Sequence, residues 1–436
     1  MPTKPEAATR PETIIDVRDL SVYFDLGGST LARLLGRDTG TVKAIDGVSV
    51  SLRRGEVLGL VGESGSGKST LGRALLGLAP ATEGSILFEG EDIATMRGRH
   101  LRAVRADIQM AFQDPNAALN PSMTVLEAVG DALRVHGVRS AAERRRRVID
   151  TLERVGLSPV ELFLNKYPRD LSGGQKQRVV LARAIILDPD VLVADEPISM
   201  LDMSVRAKIL QLMLDLKQDL GLTYVYITHD LASAKFFCDR IAIMYLGRIV
   251  EIGPTEEIFA KPRHPYTQAL LAAIPDPDPS RKVSRDLPRG EIPDASAPPL
   301  GCSFHPRCLK ATPVCGWESR DLRTLVEGHW TRRSPEEYAH EQRIVGDLDH
   351  LDAGSKTAHF GRTTSAEARD LLDRIRDENV DEPLWGGVSS VTDDGNGVRI
   401  EFHDGVDPAL RRDGGVEVAC VLYPEGAEGP GPVVDR

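Results

Sequence analysis

Gly62-Glu63-Ser64-Gly65-Ser66-Gly67-Lys68-Ser69-Thr70 sets three glycines, a lysine and a run of hydroxyls in one short stretch. Glycines let the backbone turn several N–H groups toward a single anion, and the N-terminus of a following helix adds its dipole. Gly62, Gly65 and Gly67 supply that open backbone, with Ser64 and Thr70 inside and beside it. Lys68 can reach the outer phosphates of a nucleotide, and the Ser69 hydroxyl can hold Mg2+. ATP is the ligand this chemistry implies. A chance match in a glycine-rich loop is the bland alternative. The apolar run at residues 57–61 and the helical pattern at 70–76 weaken it, because the context becomes strand, turn, helix.

Val191-Leu192-Val193-Ala194 ends in Asp195-Glu196. A buried strand tip is a costly place for carboxylates unless they meet cations. Asp195 suits Mg2+. Glu196, one residue on, points differently and can polarise the water that attacks a γ-phosphate. Thr228-His229-Asp230 ends a further apolar run. A lone histidine there is usually structural, but near a γ-phosphate an imidazole can sense whether the phosphate is present. Leu171-Ser172-Gly173-Gly174-Gln175 offers a hydroxyl, a flexible backbone and a helix start, which is a second anion-binding edge. One chain thus carries two anion sites on separated segments.

These groups need a scaffold. Apolar patterning predicts strands at 14–24, 42–52, 57–61, 85–88, 191–194 and 223–228. Between about residues 96 and 186 the pattern turns mostly helical, with Val148, Leu152 and Val155 at helical spacing. The arginines at 144–147 read as a solvated helix face, because no aromatics interleave with them. Strands alternating with helices imply an α/β fold with a largely parallel sheet.

The 436 residues allow two or three domains. A net charge of −11 argues against a nucleic-acid partner. No run of 18 apolar residues marks a membrane span, and residues 1–12 lack a signal peptide's apolar core, so a cytoplasmic location with reduced thiols is expected. The composition shifts after about residue 261. Residues 275–299 are rich in Pro, Asp and Ser and read as a linker or an extended surface segment. Residues 318–416 are acidic with scattered apolar positions, open to reading as a spacer, a small domain or a regulatory contact. One helix is predicted there, over 364–379, through Ala366, Ala368, Leu371, Leu372 and Ile375.

Over about residues 12–275 these motifs, in this order and spacing, resemble the ATP-binding subunits of ABC transporters. Gln113, in Phe112-Gln113-Asp114-Pro115, matches the family's Q-loop and its Mg2+ contact. Ser199-Met200-Leu201-Asp202 matches the D-loop, although the family more often has Ala at the Met200 position. His229 matches the switch histidine. Phe24 matches the aromatic that stacks on adenine, with Tyr23 as the alternative. In the family two such subunits pair head to tail, which implies that Ser172, Gly173, Gly174, Gln175 and Asp202 face the ATP held by a second subunit.

The fold expected is an α/β P-loop NTPase with a mostly parallel sheet and a small β-containing N-terminal region. The expected organisation is a disordered stretch 1–11, a nucleotide-binding domain 12–260 with a helical subdomain at about 97–182, a segment 261–300, and an irregular cysteine-containing extension 301–436.

The likeness is closer still to the dipeptide and oligopeptide importers. It rests on Leu119-Asn120-Pro121, on Met244-Tyr245-Leu246-Gly247-Arg248-Ile249-Val250-Glu251 and on His264-Pro265-Tyr266-Thr267-Gln268-Ala269-Leu270-Leu271. Ser69-Thr70-Leu71-Gly72-Arg73-Ala74-Leu75 is similar to the second of the two non-identical ATPases in those systems. The resemblance implies ATP hydrolysis with Glu196, His229 and Gln113 in catalytic roles. The implied partners are a second, non-identical ATPase, two transmembrane permease subunits and an extracytoplasmic substrate-binding protein. The implied location is the cytoplasmic face of the membrane. Related importers carry nickel or oligosaccharides. Soluble members acting in DNA repair carry a long coiled coil, and those on the ribosome carry two cassettes; neither feature occurs here.

Cys302, Cys308 and Cys315 resemble the C-terminal cysteine motif of the same branch, where a fourth cysteine follows shortly and a [4Fe–4S] cluster is thought to be held. Here the fourth, Cys420, comes about a hundred residues later, and residues 318–416 read as an insertion that returns it. Thiolates suit zinc as well, with His305 or His329 completing the site, and a site without metal is the third alternative. Cys238, beside Phe236 and Phe237, reads as a buried apolar residue.

Overall fold

A computed structural model describes residues 12–26, 40–274 and 288–424. The expectations for residues 1–11, for the loop at 27–39 and for the first half of the linker lie outside the described residues. The chain divides into two compact units, Met1–Ala260 and Lys261–Arg436.

In the first unit, β1 (Thr13–Asp25), β2 (Thr41–Arg53), β4 (Glu83–Phe88) and β5 (Glu91–Asp92) form an antiparallel sheet in the order β2-β1-β4-β5. The central sheet contains β3 (Val57–Val61), β6 (Ile108–Ala111), β7 (Val191–Asp195), β8 (Thr223–Thr228) and β9 (Arg240–Tyr245), all parallel, in the order β9-β3-β8-β7-β6. Antiparallel β10 (Arg248–Pro254) pairs with β9. The strands β3, β7 and β8 are buried along their whole length. This is why they read as continuous apolar runs rather than alternating ones.

Helices connect these strands. They are α1 (Lys68–Leu75), α2 (Gly98–Asp107), α3 (Pro115–Ala118), α4 (Val125–Val135), α5 (Ala141–Arg154), α6 (Gly173–Ile185), α7 (Met203–Leu220), α8 (Leu231–Phe237) and α9 (Thr255–Ala260). The stretch 96–186 is not helical throughout, because β6 interrupts it and joins the central sheet beside β7. Four residues are too few for an apolar pattern to separate strand from helix. On α5 the arginines are structural: Arg147 donates to the carbonyl of Ile186 just past α6, and Arg146 pairs with Glu143 and Asp150.

The topology aligns the functional loops. In parallel strands all carboxyl ends lie on one edge, which is where ligands bind in open α/β sheets. The segments after β3, β8, β7 and β6 leave from that edge. They carry the phosphate loop, His229, Glu196 and Gln113. Helix α1 packs tightly on the sheet through Gly72, where a β-carbon would come within 2.7 Å of Ile227 and 3.1 Å of Val193.

The second unit begins with α10 (Pro265–Ala272), capped by the His264 side chain. Residues 288–318 are mostly turns. The acidic stretch that follows is folded. It contains α11 (Ser319–Trp330), α12 (Pro335–Val345), α13 (Ser365–Glu378), α14 (Leu384–Gly387) and an antiparallel sheet of β11 (Thr357–Phe360), β13 (Val398–Phe402) and β12 (Val388–Asp393) in that order. A hairpin, β14 (Arg411–Asp413) and β15 (Val416–Val418), comes after it.

Residues 318–416 lie within the second unit and pack around a hydrophobic core. Helix α13 begins at Thr364, whose hydroxyl accepts from the Glu367 amide, and buries Ala368, Leu371, Leu372 and Ile375. Those residues meet Leu322 and Val326 of α11, Ile344 and Val345 of α12, and Phe360, Val398, Ile400 and Phe402 of the sheet. The scattered apolar positions converge into one core, and Glu318 and Glu341 are buried as well, paired with Arg320 and His329.

Candidate active site

The phosphate loop spans the turn between β3 and α1. Gly67 has φ of 100°, and a β-carbon there would lie 2.3 Å from the Ala44 carbonyl oxygen. Gly62 is equally confined, with a β-carbon position 2.2 Å from the Met244 oxygen. Only glycine lets the loop pass between these two strands. Gly65 has φ of 82° but open space around it, so only its backbone angle requires glycine.

The Lys68 ammonium folds into its own loop. It donates to the carbonyls of Gly62 at 2.8 Å and Glu63 at 2.7 Å, and to Ser66 Oγ at 3.3 Å. Burial pulls its pKa down, against the opposing charges of Glu196, Asp195 and Glu63. Ser69 Oγ donates to Asp195 Oδ1 at 2.9 Å, across 126 residues of sequence. Burial pushes the Asp195 carboxyl above its ordinary range, with the Ser69 hydrogen bond and Arg73 opposing. A hydroxyl and a desolvated carboxylate side by side are a ready pair of oxygen ligands for Mg2+.

Glu196 follows β7 with φ of 45°, a left-handed angle unusual outside glycine. Its amide is held by the Ile227 carbonyl of β8. The side chain is gripped from two sides: Gln113 Nε2 donates to Oε2 at 2.9 Å, and His229 Nδ1 lies 3.0 Å from Oε1. Asp230, beside His229, caps α8.

At the end of β1 the two aromatics differ. Tyr23 donates its hydroxyl to Asp46 at 2.7 Å, and Asp46 also pairs with Arg248. Phe24 is 44% exposed and pairs in register with Val42, two residues from the Ala44 carbonyl that borders Gly67. Phe24 is therefore the free aromatic. The Tyr23–Asp46–Arg248 link had no sequence signal, because its members are far apart in the chain.

Ser172 is the N-cap of α6. Its hydroxyl accepts from the Gln175 amide at 3.3 Å, and Gln175 Oε1 accepts from the Ser172 amide at 2.9 Å. Asp202 caps α7 through the Val205 amide. The two segments adjoin, since β-carbons at Gly173 and Gly174 would lie 3.6 Å from Leu201 and 2.8 Å from Val205. Among the described residues, the contacts that bring Ser69, Gln113, Asp195, Glu196 and His229 together do not include Ser172, Gly173, Gly174, Gln175 or Asp202. Met200 and Met203 are exposed beside them.

In the second unit, Cys302, Cys308, Cys315 and Cys420 form no disulfides, and Cys308, Cys315 and Cys420 are buried. The Cys302 amide donates to the Cys315 carbonyl at 2.9 Å. Burial pushes both the Cys302 and Cys308 thiols up to about 12; Cys302 also feels Cys315 and Cys420, and Cys308 feels Cys302 and Cys315. The Lys310 amide points at Cys308 Sγ at 3.3 Å, and the Thr312 amide at Cys315 Sγ at 3.2 Å. Such N–H donors suit sulfurs carrying negative charge. No three His, Cys, Asp or Glu side chains among the described residues are arranged to hold a single metal ion.

The two histidines considered for zinc are engaged elsewhere. His305 binds the Cys302 carbonyl and Asp321 through its two nitrogens. His329 sits between Glu341 and Glu378, in the helical part of the inserted domain. Cys238 is buried with its sulfur against Gly59, where a β-carbon would come within 2.7 Å.

A profile described as "ABC transporter" matches residues 45–199, and one described as "Oligopeptide/dipeptide transporter, C-terminal region" matches residues 250–315. A putative peptide import ATP-binding protein of Brucella ovis is 47% identical over 300 residues, covering 69% of this chain and 94% of its own length. The oligopeptide transport ATP-binding protein AppF of Bacillus subtilis is 43% identical over 326 residues, covering 74% of this chain and 97% of its own. Among solved structures, that of MJ0796, a bacterial ABC transporter cassette, is 31% identical, with a TM-score of 0.49, and covers 55% of this chain and 98% of that one.

Proposed function

The chain belongs to the ABC transporter family of ATP-binding subunits, and on that premise we propose how its residues divide the work of a peptide importer. It is an ATP-hydrolysing subunit of the oligopeptide-transport type. The observation that carries the residue assignment is Glu196 held between Gln113 and His229 beside the Ser69–Asp195 pair.

Gly62, Ser64, Gly65, Gly67 and Thr70 shape the cradle for the phosphates, and Lys68 leaves its carbonyl partners to bind the outer ones. Ser69 and Asp195, joined by Gln113, hold Mg2+. Glu196 takes a proton from the attacking water, and His229 keeps its carboxylate aimed while contacting the γ-phosphate. Phe24 stacks on the adenine. Ser172, Gly173, Gly174, Gln175 and Asp202 complete the ATP site of a second, non-identical ATPase, an arrangement supported by their lack of contact with this chain's own catalytic cluster. Two permease subunits and an extracytoplasmic substrate-binding protein complete the importer, with this chain peripheral on the cytoplasmic face of the membrane.

Cys302, Cys308, Cys315 and Cys420 lie in one neighbourhood and would be the ligands of a [4Fe–4S] cluster, the group whose usual ligands are four cysteines. Spread around a cluster, four thiols need not meet at one point. Anaerobic purification, with iron and sulfide content and visible absorption as the readout, tests it.

The transport assignment is tested by membrane fractionation. The chain should co-purify with permease subunits, and labelled peptide uptake should stop in Lys68→Ala cells. Recovery solely as a soluble or ribosome-bound protein, with uptake intact, would overturn it.

A further inference from the structure

The chain turns from β9 to β10 through Leu246 and Gly247, both left-handed, with φ of 43° and 78°. Two-residue hairpin loops with positive φ at both positions match the twist of their strands. Leucine rarely adopts that conformation, and it persists only where the surrounding structure fixes it. The backbone of the turn shows what fixes it. The Gly247 amide donates to the Ser66 carbonyl of the phosphate loop at 3.0 Å, and the Gly247 carbonyl accepts from the Asp46 amide of β2 at 3.0 Å. A β-carbon at Gly247 would lie 2.9 Å from the Lys43 carbonyl oxygen, so the turn lies directly against β2.

The Asp46 side chain continues this line to the end of β1. Its Oδ1 accepts from the Tyr23 hydroxyl at 2.7 Å, and its Oδ2 accepts from Arg248 Nη2 at 2.7 Å and Nε at 3.0 Å. Burial works against the Asp46 charge, yet the Tyr23 hydroxyl and the Arg248 guanidinium hold its carboxyl below the ordinary range. Asp46 therefore stays an acceptor for both. The Tyr23 amide donates to Thr82 Oγ1 at 2.9 Å, which holds the strand end from its other side. Phe24 is the next residue and is 44% exposed. Its separation from the phosphate loop thus depends on how the backbone at Tyr23 is held.

We propose that Asp46 is a positioning residue for ATP, because through Tyr23 on one oxygen and Arg248 on the other it sets the span between Phe24 and the phosphate loop. This rests on the reading that Phe24 stacks on adenine. A ligand gripped at two ends gains from the second grip only when the two sites are already at the right separation. ATP uses both ends. A bare polyphosphate uses only the phosphate loop and is indifferent to the span.

Calorimetric titration of the full chain with Mg2+-ATP and, separately, with inorganic tripolyphosphate tests the proposal. Asp46→Asn keeps the size of the side chain and places either a donor or an uncharged acceptor against Arg248. Tyr23→Phe removes the hydroxyl alone. Each should weaken ATP by about tenfold and leave tripolyphosphate within about twofold of wild type. In a Phe24→Ala background neither substitution should weaken ATP further, and a general loss of stability would not produce that non-additivity. Equal losses for ATP and tripolyphosphate, or losses that add to that of Phe24→Ala, would overturn the proposal. If Phe24→Ala weakens ATP while Asp46→Asn and Tyr23→Phe do not, the stacking reading stands and the positioning role fails. If Phe24→Ala leaves ATP affinity unchanged, the stacking reading fails and the proposal with it. Should Asp46→Asn fold poorly, Tyr23→Phe decides.

Discussion

Gln113 and Glu196 are 83 residues apart in sequence and joined by a 2.9 Å hydrogen bond from the glutamine amide to the carboxylate. With His229 on the other oxygen, each carboxylate oxygen has a side-chain partner. Each oxygen keeps a second lone pair for water, and movement of either partner changes where the carboxylate points. That makes the pair a natural link between γ-phosphate occupancy and the segment after β6.

Glu196→Gln keeps the size of the side chain and removes the base. ATP hydrolysis should fall by roughly 100-fold or more, while nucleotide binding persists and an ATP-loaded dimer accumulates. Steady-state turnover and size-exclusion chromatography with ATP measure both. Turnover within twofold of wild type would remove Glu196 from the role assigned to it.

Gly67→Ala and Gly65→Ala separate crowding from backbone strain. Both have positive φ, but only Gly67 faces a carbonyl oxygen at 2.3 Å. Gly65→Ala should cost about 1–2 kcal/mol, the price of a left-handed residue, and weaken nucleotide binding modestly. Gly67→Ala should lower Tm further and abolish nucleotide binding, as followed by thermal melts and a fluorescent nucleotide. Equal effects would mean that the Ala44 contact is unimportant.

Asp195 carries a buried charge whose folded pKa is raised. The native state therefore binds the proton more tightly than the unfolded chain, and stability falls as pH rises through that window. Asp195→Asn should raise the Tm of the nucleotide-free protein at neutral pH and abolish Mg2+-dependent hydrolysis. In the wild type, Mg2+ binding should weaken as pH drops and the carboxyl takes up its proton. A lower Tm for Asp195→Asn in melts at pH 7.5 would contradict the sign.

Ser172 has a local role that can be separated from its proposed role toward the partner's ATP. Asparagine caps helices about as well as serine, so Ser172→Asn should keep a near-native Tm. Ser172→Ala should lose about 1 kcal/mol with the cap. Both should depress ATP turnover in the assembled pair of ATPases, the asparagine variant without a stability change. Full activity of Ser172→Asn would make the residue a helix cap and nothing more.

His264 is fully buried at the start of α10, and burial pulls its pKa down to about 3. Its neutral form is favoured in the fold. Stability should therefore hold above pH 6.5 and fall as pH drops below it, by at most roughly 1.4 kcal/mol per pH unit. The Nδ1 atom accepts from the Tyr266 amide at 3.1 Å, a cap that asparagine can replace. His264→Asn should flatten the acid limb of the stability curve, as urea titrations from pH 7 to 5 would reveal. An unchanged limb would shift the effect to another group.

The sequence by itself determined the local pieces of this protein. Continuous apolar runs announced β3, β7 and β8, because strands buried on both faces need apolar side chains at every position. The phosphate loop was legible because its chemistry requires glycines and Lys68 within one turn, and the Thr364 cap with its periodic apolar face announced α13. The strand β6 was missed because four residues give no period. Only the tertiary structure decided what depends on distant parts of the chain. It brought Gln113, Glu196 and His229 together at one sheet edge, left Phe24 exposed while Tyr23 bonded to Asp46, and tied His305 and His329 to carboxylates. It also gave the acidic stretch a packed core. Apolar residues spread over α11, α12, α13 and the sheet are sparse in any one window, and they become a core only when non-local pairing brings them to the same side.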